Sequence, residues 1–312
     1  MTRQTESMRH LLTLFDLEPA EFDAIFAITR DLKSKYENGL REPILPGRVL
    51  AMLFEKPSLR TRVSFETAIL QLGGGSLFLG DDVGFGKRES IEDFGRVLGQ
   101  YVDVIVSRTW QHERLVAFAG HCSCSVINGL SDVAHPCQAL ADLFTVREHF
   151  SGIRDATIAW VGDGNNMARS LAIGCAKMGM RFVGAMPEGY QLAEPYLERI
   201  RREVPGAAVE ITTDPVEAVR GADALYTDVW ASMGQEEERE QRMQDFAAYQ
   251  VNGALMAEAS ERAIFMHCMP AHRGQEVTAE VIDGPQSVIF QQAANRMHVQ
   301  KGVLAWLLGS SL

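Results

Sequence analysis

One feature constrains the fold of this chain more than any other. Short apolar, β-branched runs at 48–54, 102–106, 125–127, 157–161, 181–186, 222–226 and 263–267 alternate with longer stretches of helical period. Runs of this kind read as strands covered on both faces, and their alternation with helices gives parallel sheets. Between them, 58–72 carries Val63, Ile69 and Leu70 at helical positions and stops at Gly73-Gly74-Gly75. A second helix, 142–150, stops at Ser151-Gly152 just before the strand that opens a new βαβ series. A domain boundary is therefore expected near 135–155. The fold class that follows is α/β in two domains, each a mostly parallel sheet flanked by helices.

The length agrees, since 312 residues exceed what one ordinary core fills. Asp and Glu number 41 against 30 Lys and Arg, for a net charge of −11. That balance argues against nucleic acid as a partner, and an anionic ligand must be held by a local cluster of Arg and backbone N–H groups. No apolar stretch approaches the roughly 20 residues of a spanning helix, and the opening segment lacks the apolar core of an export signal. No membrane association and a cytoplasmic location are the expectation. The five cysteines, Cys122, Cys124, Cys137, Cys175 and Cys268, are odd in number and mostly embedded in apolar sequence, as reduced thiols are. Cys122-Ser-Cys124 has no second Cys or His pair at ligand spacing, so no metal site is expected.

Polar residues gather where the apolar runs end. In open parallel sheets the carboxyl ends of the strands line the ligand crevice, and six polar constellations at six such ends predict one composite site. Pro57-Ser58-Leu59-Arg60-Thr61-Arg62 follows a strand and opens a helix, where free N–H groups and the positive helix end suit an anion. An ordinary capped helix with solvated Arg residues explains the same letters equally well. Gly162-Asp163-Gly164 suggests a dinucleotide loop, but Met167 stands where the third glycine belongs and Asp163 would oppose a pyrophosphate. Asn165 and Asn166 are either helix caps or amide donors to a zwitterion. His135 and Gln138 lie three apart, as on one helical face, and suit a small polar group; a His before a helix is also a common structural hydrogen-bonder. After Asp228, the segment Ser232-Met233-Gly234 reads as a mobile loop, and the charged run 236–240 as a solvated helix face. At 267–270, Cys268 is a nucleophile only if a base stands nearby, or else the Cys268 and Met269 carbonyls accept from an amide.

Six segments carry a further signal in their order: FEKPSLRTRVSFE (54–66), ESIED (89–93), HPCQALAD (135–142), GDGNN (162–166), DVWASMGQE (228–236) and HCMPAHRG (267–274). With them the chain resembles the aspartate/ornithine transcarbamylase family. The pattern D-x-x-x-S-M-G together with H-C-x-P places the resemblance on the ornithine branch. It implies transfer of the carbamoyl group of carbamoyl phosphate to the side-chain amine of L-ornithine, without cofactor or metal, in a homo-oligomer expected to be a trimer. It implies a carbamoyl-phosphate domain of about 1–134 plus a C-terminal helix of about 290–312, an ornithine domain of about 150–288, and two crossing helices joining them. By matching position, Ser58, Leu59 (through its backbone), Arg60 and Thr61 would bind the phosphate, and Arg108, His135, Gln138 and Arg296 the carbamoyl group, with Cys268 and Met269 beside it. Asn166, Asp228, Ser232 and Met233 would hold ornithine. Arg60, Arg108, His135, Asp228 and Cys268 would carry the chemistry.

Two positions depart from the family pattern. Leu59 replaces a Thr, and Gly84 stands where relatives often place a Gln or His that reaches a neighbouring subunit. Rival readings are a carbamoyltransferase for N-acetyl- or N-succinylornithine, and an NAD-dependent oxidoreductase suggested only by Gly162-Asp163-Gly164.

Overall fold

The computed structural model describes residues 8–309 apart from 151–152, 232–233 and 235. The chain divides into two compact units, one of Met1–Cys137 with Arg296–Leu312, the other of Gln138–Asn295.

The first unit opens with helix α1 (Pro19–Glu37), followed by strand β1 (Val49–Phe54), α2 (Leu59–Gln71), β2 (Gly75–Leu79), α3 (Ile91–Tyr101), β3 (Val104–Arg108), α4 (His112–Ala119) and β4 (Ser125–Leu130). All strand pairs are parallel, in the order β2-β1-β3-β4. Ala51, Leu53, Ile105 and Val126 turn one face of this sheet onto Leu115 and Phe118, and Phe85 packs edge-on to Phe94 and Phe118.

Helix α5 (Pro136–His149) leads into the second unit, which holds β5 (Thr157–Val161), α6 (Asn166–Met178), β6 (Arg181–Ala185), α7 (Glu194–Glu203), β7 (Val209–Thr212), α8 (Pro215–Val219), β8 (Ala224–Thr227), α9 (Arg239–Asp245), α10 (Gly253–Glu258), β9 (Ile264–His267) and α11 (Ala279–Ile282). Its sheet is also parallel, in the order β7-β6-β5-β8-β9. The sheet packs through Ala159, Val161, Leu225 and Phe265 onto an aromatic group of Trp230, Phe246 and Tyr249.

The last helix, α12 (Ile289–Leu308), supplies Arg296 and the residues after it to the first unit. There Lys301 Nζ donates to Gln71 Oε1 at 3.0 Å, and His298 packs edge-on against Tyr36. At Gly302 a Cβ would collide with Thr29 Oγ1 and lie 2.9 Å from the Ile25 carbonyl oxygen, so only glycine admits α1 this closely. Among the described residues, no helix is long and apolar enough to cross a membrane.

The structure differs from the sequence reading at several element ends. The strand expected at 102–106 runs instead from Val104 to Arg108, because Val102 still closes α3. Arg108 is thus a strand residue, in register with Phe54. The helix expected at 142–150 starts already at Pro136, whose fixed φ suits a first helical position. His135 therefore precedes the helix and does not share a helical face with Gln138. The edge strands β2 and β7 were not evident from sequence, as neither contains a fully buried residue.

Candidate active site

Each sheet has one place where the chain, having built outward in one direction, returns and builds in the other. In the first unit this switch lies between β1 and β3, and in the second between β5 and β8. Loops diverge there and leave a crevice at the carboxyl ends of the strands.

At the first switch, β1 feeds the start of α2. Ser58 caps that helix, its Oγ accepting from Thr61 N at 3.3 Å. A hydroxyl can accept and donate at once, so the cap and the anion cradle are compatible readings of the same residue. Leu59 points its side chain into solvent at 76 % exposure and leaves its backbone at the helix start. Thr61 is buried, and its Oγ1 accepts from Arg296 Nη2 at 3.0 Å and from Arg108 Nη1 at 3.4 Å. Residues 61, 108 and 296, far apart in sequence, thus meet at one hydroxyl.

Positive charge dominates this cluster. Burial, then Arg296 and Arg60, press the Arg108 guanidinium down to about 10. Its Nε has no hydrogen-bond partner among the described residues. Lys56, also buried, lies with Nζ 4.2 Å from the Trp110 ring centre, and burial followed by Arg108 lowers its pKa. His135 is buried; burial first, then Arg296, Arg108 and Lys56, hold its imidazole well below the ordinary value. It is therefore neutral near pH 7. Glu55 braces the wall, accepting from the Thr109 hydroxyl and, at 3.2 Å, from Trp110 N, and pairing with Arg114 at 3.3 Å. Three buried cations, Lys56, Arg108 and Arg296, with a neutral buried imidazole and the exposed Arg60 at the rim, make a receptor for a multiply charged anion.

At the second switch, Asn165 caps α6, its Oδ1 accepting from Met167 N and Ala168 N. Its Nδ2 donates to Asp228 Oδ2 at 3.0 Å. Asp228 Oδ1 accepts from Val229 N at 2.8 Å and from the Cys268 thiol at 3.0 Å. Neutral donors therefore surround this carboxylate and orient it, as an acceptor for a cationic or partly protonated amine requires. Asn166 is the first residue of α6. Gly162-Asp163-Gly164 does not form a phosphate loop, because the Asp163 carboxylate is paired with Arg242 at 2.9 Å.

Asp228, His267 and Cys268 each bring a possible ligand atom within 4.8 Å of the others. Both ring nitrogens of His267 are engaged, however. Nδ1 accepts from Met269 N at 2.9 Å, which leaves the proton on Nε2, 3.2 Å from Glu276 Oε1. The donor set thus lacks an available imidazole and does not suit a metal. Met269 adopts φ +61°, a left-handed conformation, with its N–H held on His267 Nδ1.

The sequence-predicted residues thus fall into two groups. Ser58, Leu59, Arg60, Thr61, Arg108, His135 and Arg296 belong to the first unit, and Gln138, Asn166, Asp228, Cys268 and Met269 to the second. Gln138 is fully buried, its Nε2 donating to Asp142 Oδ1 at 2.8 Å. Ser232 and Met233 lie outside the described residues. Gly84 occupies a left-handed turn at φ +68°, with Lys87 N donating to its carbonyl oxygen. Sequence reasoning missed Lys56 as a member of the cationic cluster and the Asn165–Asp228 bond. A lysine immediately after a buried strand and before a predicted anion loop was the available signal for the first.

Residues 9–148 match the family model described as aspartate/ornithine carbamoyltransferase, carbamoyl-P binding domain, and residues 154–307 the one described as the Asp/Orn binding domain. The chain is 48 % identical over 303 residues to the ornithine carbamoyltransferase of Anoxybacillus flavithermus, covering 96 % of each chain. The Bacillus subtilis ornithine carbamoyltransferase is likewise 48 % identical, over 96 % of this chain and 94 % of the relative. Among solved structures, the ornithine carbamoyltransferase from Pyrococcus furiosus superposes with a TM-score of 0.94 at 46 % identity, covering 97 % of this chain and 98 % of the other. That from Thermus thermophilus gives 0.87 at 41 %, covering 97 % and 99 %.

Proposed function

The chain belongs to the aspartate/ornithine carbamoyltransferase family, and from that premise we propose how its residues carry out the reaction of the ornithine branch. It transfers the carbamoyl group of carbamoyl phosphate to the side-chain amine of L-ornithine, giving L-citrulline and phosphate. The observation that carries this reading is the meeting of Arg108 and Arg296 at Thr61, beside Arg60, Lys56 and a neutral His135.

Carbamoyl phosphate binds with its phosphate at Ser58, Leu59 N, Arg60 and Thr61, and its carbamoyl group at Arg108, His135, Gln138 and Arg296, with Cys268 and Met269 alongside. Ornithine is held by Asn166, Asp228, Ser232 and Met233. The neutral amine attacks the carbonyl carbon, forming the C–N bond. The bond from that carbon to the bridging oxygen then breaks, phosphate leaves with the electron pair, and the proton given up by the amine passes to the departing phosphate. Charge growing on the carbonyl oxygen meets Arg108 and the neutral His135, which can donate a hydrogen bond there without adding charge. Charge growing on the departing phosphate meets Arg60. Preorganised cations supply most of the stabilisation in a reaction of this kind. A lysine-like amine has a pKa of roughly 10.4, so Asp228 and Cys268 serve to place it with its lone pair towards the carbon.

In this reading the carbamoyl-phosphate part is 1–134 with about 290–312, and the ornithine part about 150–288. The family resemblance supports a homotrimer and a role in arginine metabolism, and five free cysteines, four of them buried, suit a reducing cytoplasm. One assay tests the function: citrulline formation from carbamoyl phosphate across ornithine, N-acetylornithine, N-succinylornithine, putrescine and aspartate. Ornithine should be preferred, and turnover of a modified ornithine in its place would move the chain to that specificity.

A further inference from the structure

A fully buried carboxylate in the second unit has no direct part in the transfer just described. Asp142 Oδ1 accepts from Gln138 Nε2 at 2.8 Å and from Gln292 Nε2 at 2.7 Å, while Oδ2 accepts from the Tyr226 hydroxyl at 2.9 Å. Gln292 passes the connection on, since its Oε1 accepts from His267 N at 2.9 Å, one residue before Cys268. Gln138 and Asp142 are separated by one turn of α5, the spacing at which helical side chains meet.

An ionised carboxylate accepts and cannot donate. Only the nitrogen end of the Gln138 amide can face it, which fixes an orientation that a glutamine would otherwise be free to reverse. The opposite end, Oε1, is then always the one turned away from Asp142, as an acceptor with two lone pairs. Resting on the carbamoyl-transfer reading above, we propose that Asp142 is a positioning residue: it locks Gln138 so that Oε1 accepts from the NH₂ of the carbamoyl group. Tyr226 and Gln292 hold Asp142 in turn, so the lock is tied to both β8 and the end of β9.

The consequence is a discrimination between two acyl phosphates of nearly the same shape. Carbamoyl phosphate carries NH₂ where acetyl phosphate carries CH₃, and only the first can donate to Gln138. The test compares three constants in the full-length protein: KM for carbamoyl phosphate, Ki for acetyl phosphate and Ki for inorganic phosphate. Asp142→Asn keeps the shape but adds a donor, which lets the Gln138 amide turn round. The preference for carbamoyl over acetyl phosphate should fall about tenfold, the worth of one buried hydrogen bond. The phosphate Ki should move less than about twofold, since no phosphate contact is altered. In a Gln138→Ala background the same Asp142 change should cause no further loss of preference. Unchanged discrimination in Asp142→Asn, or parallel weakening of all three constants, overturns the proposal. If Asp142→Asn does not fold, Gln138→Ala decides: a retained preference refutes the acceptor role. Absence of citrulline from the wild type would instead refute the reaction itself, which keeps the two failures distinct.

Discussion

Replacing Arg108 with Met should make the free protein more stable and the enzyme nearly inactive. Arg108 is 6 % exposed, its Nε is unpartnered among the described residues, and its bond to Thr61 Oγ1 is long at 3.4 Å. Holding such a group at about 10 rather than 12.5 corresponds to roughly 3 kcal/mol of unfavourable interaction. Met keeps most of the apolar stem and sheds the charge, losing about 1 kcal/mol in packing and the weak hydrogen bond. The net gain is about 1–2 kcal/mol, or a rise in Tm of roughly 2–8 °C. For a cation whose folded pKa is depressed, the penalty is present below the folded value and would vanish only as pH climbs towards the unfolded one. The gain should thus be constant between pH 6 and 9. Thermal and urea unfolding in phosphate-free buffer measures it. Phosphate at 100 times Kd should restore about 2.7 kcal/mol to the wild type and little to the variant. Turnover should fall by about 10²–10³-fold. A variant less stable than wild type without phosphate would refute the view of Arg108 as an uncompensated charge awaiting an anion.

Three further outcomes are expected. Arg60→Ala, at an exposed helix start, should lower turnover by about 10²–10³-fold while unfolding within about 0.5 kcal/mol of wild type, and wild-type turnover in the folded variant would remove Arg60 from the phosphate cradle. Lys301, lowered to about 8 by burial and then Arg41, is charged at a cost at pH 7. Lys301→Met should stabilise by about 1–2 kcal/mol there, with the advantage shrinking as pH rises from 8 towards 10.5, as urea titrations at pH 7 and 9.5 would show. Because the unfolded chain takes up a proton that the buried His135 refuses, stability should decline as pH falls below 6.5. His135→Gln should flatten that decline by up to about 1.4 kcal/mol per pH unit.

What was legible in the sequence follows from what each signal depends on. Central strands such as Thr157–Val161 bury nearly every residue, so an unbroken apolar run betrays them. Gly75–Leu79 and Val209–Thr212 lie at sheet edges, half covered, and their mixed composition resembles loop. The polar residues at strand ends were legible because parallel topology puts ligands there. Their partners were not. Arg296 reaches Thr61 across 235 positions, and Asn165 reaches Asp228 across 63. No local period encodes either meeting. The resemblance to a family singled out Arg296, which the structure sets against Thr61, where spacing alone could not. Lys56 escaped because a lysine beside a predicted loop looks solvated until the Trp110 ring above it is seen.

The return of α12 to the first unit also has a bearing on synthesis. Thr61, Gln71, Thr29 and Tyr36 all wait for partners at positions 296–302. A ribosome delivers the whole second unit before any of those partners emerges, which at 5–20 residues per second is a delay on the order of ten seconds or more. During that interval the first unit presents the face meant for the end of α12 as an open surface, although its sheet is already encoded. Release of the nascent chain just short of position 296 would leave a complete second unit attached to a first unit unable to close its own anion cradle. The half of the protein made first is therefore the half finished last, and chaperone engagement during translation should concentrate on it.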